Sequence, residues 1–364
     1  MPAEDLELLV SEASRQLTIC NSCRYCEGLC AVYPALERRN LLDAGDVSQL
    51  ANLCHDCRAC FSACMYTEPH EFALNIPVVL ASVRTLDYER YVWPYRAPRL
   101  LRGWPGVFSG AVITSVIVLV AAVAHVGFGG LVATNKSPYA LIPYPVLLVG
   151  FLLPVLYSLA VLAGAGRRFW TSTGAPRANL RAVARAVQYA ATLRYLRGGG
   201  SECYYPDDDV PSAGRRVLHS LVAYGFGVCI VSTISAAIMQ DLFGIQPPYP
   251  VLSVPVISGV IGGIGLVTGS AGLLLLKMRS SQVTSVAAMT VKDYGLLVAL
   301  TFLGVSGLAT LLVRDTPAFG IVLLIHLSAV MLSFASAPYS KFSHLIYRFL
   351  AIVRDNLEMQ RQVA

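Results

Sequence analysis

Six stretches of this chain are long and apolar enough to fill the hydrocarbon of a bilayer, and no other feature narrows its fold so far. They fall at about 107–133, 143–165, 217–239, 250–276, 294–313 and 317–338. A bilayer core is roughly 30 Å thick, so a spanning helix needs about 20 such residues. The composition agrees: 55% of residues are hydrophobic and 14% charged, with a mean hydropathy of +0.59. That is too apolar for an ordinary soluble enzyme. The first stretch begins after residue 100, so residues 1–100 are expected to form a soluble head and 101–364 a six-span membrane domain.

Basic residues set the expected orientation. The loop at 166–216 holds Arg167, Arg168, Arg177, Arg181, Arg185, Arg194, Arg197, Arg215 and Arg216. Arg84, Arg90, Arg96, Arg99 and Arg102 lead into the first span, and Lys277, Arg279 and Lys292 lie between the fourth and fifth. Lys341, Arg348, Arg354 and Arg361 follow the sixth, whereas the three alternate connections carry Lys136, no basic residue, and Arg314. The positive-inside rule then places the head and both termini in the cytoplasm, with the chain in the cell inner membrane. The N-terminal "MPAEDLELLV" is acidic, so no cleaved signal peptide is expected. The basic loop is expected to lie along the anionic inner leaflet or to dock a partner.

Eight of the ten cysteines stand in two copies of one pattern, C-x2-C-x2-C-x3-C. "CNSCRYCEGLC" supplies Cys20, Cys23, Cys26 and Cys30; "CHDCRACFSAC" supplies Cys54, Cys57, Cys60 and Cys64. Cytosolic thiols are kept reduced, which argues against a disulfide framework. Zinc sites usually join two separated C-x2-C pairs into one tetrahedron. A tight run of four instead matches the wrap of bacterial ferredoxins, so two [4Fe–4S] clusters are expected, with zinc as the alternative. In two-cluster ferredoxins the fourth Cys of each run serves the other cluster. That rule groups Cys20, Cys23, Cys26 and Cys64, and separately Cys54, Cys57, Cys60 and Cys30. The proline that normally follows the fourth Cys is replaced by Ala31 and Met65. The segment between the runs reads as helix, with Asp46 as the N-cap, giving a compact α-helical ferredoxin-like head. Arg24 and Arg58 either offset the anionic clusters or are solvated surface residues.

Only six histidines are present. His55 and His70 are expected at the head's surface or beside the cluster ligands. His125, His219, His326 and His344 fall in or next to spans, where an ionisable residue marks a functional site by default. Haem b held by two imidazoles on facing helices suits a bundle that receives electrons. His219 and His344 share the head-side level, so they are the expected axial pair. His326 lies eighteen residues before His344, about 27 Å along a helix, and one haem cannot use both. His125 shares the level of His326; the two hold a second haem, pack as polar residues, or line a quinone pocket.

Other signals lead to structural readings. Cys229 is a thiolate ligand or a small buried hydrophobe, the commoner role. Cys203 belongs to an ordered connector. Gly265 and Gly269 form a G-x-x-x-G for close helix packing. No nucleotide fingerprint, P-loop or nucleophile elbow is present, and no nucleic-acid partner is expected.

The double cysteine run, the "RRVLHS" start of the third span and the ending "HLSAVMLSFASAPYSKFSHLIYRFL" together resemble the tricarballylate (citrate) utilisation protein B family over nearly the whole chain. "APYSKFSH" is also similar to the haem-bearing γ subunits of respiratory nitrate reductases, where two histidines on one helix serve different haems. The resemblance implies a protein that reoxidises the flavin of a partner FAD-dependent dehydrogenase and passes electrons towards membrane quinone. Family members often carry a second His after the one matching His219; here Ser220 stands there, which leaves the haem count open. The expected function is therefore an electron-transfer subunit of the flavoprotein:quinone oxidoreductase type. The alternatives are a membrane anchor for a heterodisulfide-reductase-like module and an iron–sulfur redox sensor.

Overall fold

The computed structural model describes residues 3–30, 32–100, 104–132, 137–198, 200, 202–205 and 210–363. Arg102 and Lys136, both counted in the charge pattern, lie outside the described residues. The fold is all-α. Helices α1 (Ala3–Cys23), α2 (Tyr33–Leu36), α3 (Ala44–Leu53), α4 (Ala59–Ser62) and α5 (Ile76–Arg90) build the head, and α6 (Ala97–Leu100) follows it. The spans are α7 (Trp104–Gly130), α8 (Tyr144–Ser172), then, after α9 (Leu180–Ala191), α10 (Gly214–Asp241), α11 (Val254–Arg279), α12 (Ala287–Leu312) and α13 (Phe319–Ser336). α14 (His344–Val363) ends the chain. Among the described residues six helices are long and apolar enough to cross a membrane, at the expected places.

Capping corrects one expectation in the head. The N-cap of α3 is Asp43, not Asp46: the Asp43 carboxylate accepts from the Asp46 amide at 2.7 Å. Asp43 precedes the first helical residue in extended geometry, where a short acceptor reaches a free amide of the first turn. Asp46 lies inside that turn and binds cations instead, Arg39 at 2.9 Å and Arg354 at 2.7 Å. At α5, the Asn75 side chain caps by accepting from the Val78 amide at 3.3 Å.

The head's apolar core is completed by the far end of the chain. Leu17, Val47, Leu50, Leu53, Leu80 and Val83 pack in one cluster with Tyr347, Ala351, Val353 and Leu357 of α14 and Phe169 of α8. Tyr88 stacks on Tyr347 with ring centres 5.2 Å apart. A polar seam runs beside this core: Arg38 pairs with Asp355, and Arg39 with Glu358 at 2.8 Å. Burying a large apolar side chain is worth roughly 1.5–3 kcal/mol, so α14 fixes the head to the bundle mainly by packing. α9 covers α14 from outside through Ala182 and Ala186, leaving Arg181 and Arg185 exposed.

Within the membrane domain, α10 and α11 touch backbone to backbone. A Cβ on Gly269 would lie 2.7 Å from both the Leu218 carbonyl and the Val222 amide, and one on Gly262 would lie 2.8 Å from Cys229. Small residues of this kind let helices meet closely in lipid. Cys229 thus sits in the α10–α11 contact. Further along, the Ser270 and Thr301 hydroxyls bond at 2.8 Å between α11 and α12.

Candidate functional site

The two cysteine runs adopt related local turns. Cys20 and Cys23 end α1, Cys54 caps α3, and Cys60 lies in α4. In both runs the arginine after the second cysteine has left-handed backbone, φ 59° at Arg24 and 63° at Arg58. This conformation costs a non-glycine residue roughly 1–2 kcal/mol, and its recurrence turns each run around the space its thiols enclose. Amides point at sulfur as well: Asp56 donates to Cys54 Sγ and Tyr66 to Cys64 Sγ, both at 3.4 Å.

All eight thiols line one cavity of about 1010 Å³, its open mouth included. Their mutual influence sorts them into two sets. Burial pushes Cys20 up to about 12, and Cys64, Cys26 and Cys23 add to the shift. Burial, then Cys64 and Cys23, push Cys26 up to about 11. In the other set burial raises Cys30 to about 12, with Cys54 the largest thiol contribution. Cys60 rises through burial and then Cys30, Cys57 and Cys54. Cys64 thus bears on the first run and Cys30 on the second, while Cys20 also bears on Cys30 and Cys60. Among the described residues no three His, Cys, Asp or Glu side chains converge closely enough for a single metal ion. Thiols that surround a space fit a multi-iron cubane better than one tetrahedral zinc.

The arginines divide differently from the sequence reading. Arg24 is exposed and pairs loosely with Glu37 at 3.8 Å. Arg58 is 1% exposed, lies over the Tyr205 ring at 4.6 Å and donates to Ser285 Oγ at 3.2 Å. Three more arginines reach the second run. Arg84 donates to the carbonyls of Ala51 at 2.9 Å and Cys54 at 3.1 Å. Arg348 donates to the Cys54 carbonyl at 2.8 Å, and Arg215 to that of Asp56. All three act on His55, which is buried beside Tyr195 and held well below the usual histidine range by burial first and these cations after it. His70 packs with Tyr66 and Phe72.

The connector before α10 covers the same place. The Tyr204 amide donates to the Cys57 carbonyl at 2.8 Å, and a Cβ on Gly198 would lie 3.2 Å from Cys57 Sγ. Cys203 is buried, with its thiol 3.1 Å from the Leu196 carbonyl.

His219 on α10 and His344 at the start of α14 face each other with ring centres 6.4 Å apart and planes at 82°. Two imidazoles on opposite sides of one metal, at about 2 Å per bond, place their ring centres about 6 Å apart. The donor atoms suit ligation too. His344 Nδ1 donates to the Lys341 carbonyl at 2.6 Å, which leaves the Nε2 lone pair available. His219 Nδ1 is buried without a hydrogen-bond partner. The residues present therefore fit a haem iron held from α10 and α14. The other pair is not brought together: His326 Nδ1 lies 2.9 Å from Ser306 Oγ on α12, while His125 is exposed on α7.

A family model described as Citrate utilization protein B matches residues 110–364, and one described as Citrate utilization protein B Fer4-like domain matches residues 13–90. The chain is similar to Citrate utilization protein B of Escherichia coli, with 35% identity over 357 residues, covering 96% of this chain and 93% of the relative. No solved structure matches.

Proposed function

The chain belongs to the citrate utilization protein B family, and from that premise we propose that it carries electrons from a soluble flavoprotein into the membrane. The donor is an FAD-dependent dehydrogenase of the tricarballylate type, and the acceptor is membrane quinone. Cys20, Cys23, Cys26 and Cys64 hold one [4Fe–4S] cluster; Cys30, Cys54, Cys57 and Cys60 hold the other; His219 and His344 hold haem b. Each group takes one electron at a time, which divides the two electrons of a reduced flavin. The head and both termini face the cytoplasm of a cell whose inner membrane the six helices span, as the basic residues on that side support.

One observation carries this reading. Arg348 and Arg215 each bond the backbone of the second cysteine run, and each lies four residues from a facing histidine. Four residues is about 6 Å along a helix, so the cysteine sites and the histidine pair form one rigid assembly. Conduction needs such proximity; a sensor reporting redox state does not.

The test is stopped-flow reduction of the haem in the full-length protein. Cys57→Ser is expected to abolish reduction by the reduced flavoprotein while a quinol still reduces the haem. Reduction by the flavoprotein at the wild-type rate would remove the head from the path.

A further inference from the structure

Arg84, Arg215 and Arg348 gather beside the second cysteine run. Arg84 is 4% exposed, and Arg348 has its Nε enclosed without a hydrogen-bond partner. Arg84 and Arg348 both donate to the Cys54 carbonyl and Arg215 to that of Asp56 two residues on, so the three converge on one place; Arg84 also reaches the Ala51 carbonyl. Three carboxylates bear on them: Asp56 on Arg84 and Arg215, Asp293 on Arg215, and Asp87 on Arg84. Among the described residues none of the three makes an ion pair. Arg84 is buried, and Arg215 and Arg348 are half-buried; guanidiniums held together in such a place repel one another and favour negative charge beside them. The first set has nothing equivalent: Arg24 is exposed and already paired with Glu37.

We propose that Arg84, Arg215 and Arg348 hold the centre at Cys30, Cys54, Cys57 and Cys60 at a higher reduction potential than the centre at Cys20, Cys23, Cys26 and Cys64. This rests on the iron–sulfur reading above. The thiolates and the group they bind add to the negative charge of Asp56, Asp293 and Asp87 beside the arginines. Adding an electron to that site increases its negative charge, and fixed cations in a low-dielectric setting favour the added electron. Solvent beside the exposed Cys23 acts in the same sense on the first centre, but by reorienting dipoles rather than fixed full charges.

Direction follows from this difference. The reduced first centre gives up one electron and the oxidised second centre gains it; no bond is made or broken and no proton moves. The supply is a reduced flavin, reoxidised in two such one-electron steps. The centre nearer His219 and His344 is thus the downhill one, and the arginines are positioning residues that bias flow towards the membrane.

The test reads both midpoint potentials in the full-length, anaerobically purified protein, by redox titration followed with electron paramagnetic resonance. The signal that Cys57→Ser removes belongs to the second centre. That centre is expected to have the higher midpoint. Arg348→Gln and Arg84→Gln should each lower it and leave the first centre's midpoint unchanged, and Arg348→Lys should restore it. Should either Gln variant lose iron, Arg215→Gln takes its place, since Arg215 bonds the Asp56 backbone rather than that of a cysteine in the two runs. A second centre with the lower midpoint, or one unmoved in variants that keep their iron and sulfide, overturns the proposal. Wild-type protein without acid-labile sulfide would instead sink the iron–sulfur reading itself, a separate outcome.

Discussion

Arg348 donates to the Cys54 carbonyl at 2.8 Å, four residues along α14 from His344. The same relation recurs on α10, where Arg215 donates to Asp56 four residues before His219. Two helices thus offer a histidine to one side and, one turn on, an arginine to the cysteine run. The head cannot tilt against the bundle without breaking these bonds and the Tyr88–Tyr347 stack. This also explains why removing the head is a poor experiment: Tyr347, Ala351 and Val353 are buried against it, and truncation would expose them.

Metal content is the first expectation. Anaerobically purified protein should contain about eight irons beyond any haem iron, with matching acid-labile sulfide. The grouping of thiols makes a sharper statement. Cys30→Ser should perturb the same paramagnetic signal as Cys60→Ser, and Cys64→Ser the same one as Cys20→Ser. If Cys30→Ser instead shares its effect with Cys20→Ser, each run serves its own cluster.

Asp87 provides a pH signature. It is buried, accepts from Ser48 Oγ at 2.7 Å and Asn52 Nδ2 at 2.8 Å, and burial pushes its carboxyl up to about 6. The unfolded value is about 3.9. A folded pKa above the unfolded one contributes stability in full below about pH 4, lost as pH rises through about 6. Relative to Asp87→Asn, the wild type should lose on the order of 1–2 kcal/mol between pH 5 and 8. Hydrogen exchange in α3 and α5 measures this, and parallel profiles for the two proteins would refute it.

The spans, the gathering of the two cysteine runs and the facing histidines were legible because each leaves a local signature: an apolar run, a fixed spacing, a depth along a helix. The arginine cluster left none. Arg84 and Arg348 meet the Cys54 carbonyl from 30 and 294 residues away, and a backbone carbonyl has no side-chain identity to match. Arg215 had been counted only as inside charge. The return of α14 to the head was hidden for a similar reason: "YRFLAIVRDNLEMQ" alternates apolar and charged residues, and its partners in α3 and α5 are known only from the fold. Asp46 reads as the N-cap because it stands next to the apolar run "VSQLANL", although the helix begins one turn earlier.

Helix packing should control the histidine site from a distance. Gly269 abuts Leu218 and Val222, the residues on either side of the turn that carries His219. Gly269→Val would force α10 outward, at about 1–3 kcal/mol for overpacking, and move the imidazole with it. The expected result is weakened haem retention with a shifted spectrum, although residue 269 is not a ligand. Gly265→Ala is the control: its added Cβ would lie 3.4 Å from the nearest atom, an ordinary contact. A normal spectrum for Gly269→Val would mean that α10 is not held in place by this seam.

The histidines give the last expectation. His219 and His344 sit on different helices, far apart in sequence, with rings 6.4 Å apart and no hydrogen bond between them. A shared iron would account for that spacing and would make the two residues interdependent. His219→Ala and His344→Ala should each abolish the same reduced b-type absorbance, because loss of either axial ligand leaves the iron held from one side. His326→Ala should leave that absorbance intact, since His326 is bonded to Ser306 on α12, and His125→Ala should do so because His125 is exposed on α7. Reduced-minus-oxidised spectra of the four variants, normalised to protein, decide the matter. Full unshifted absorbance in both His219→Ala and His344→Ala would show the pair to be a packing contact, whereas partial loss in His326→Ala would reveal a second haem at the far level of the bundle.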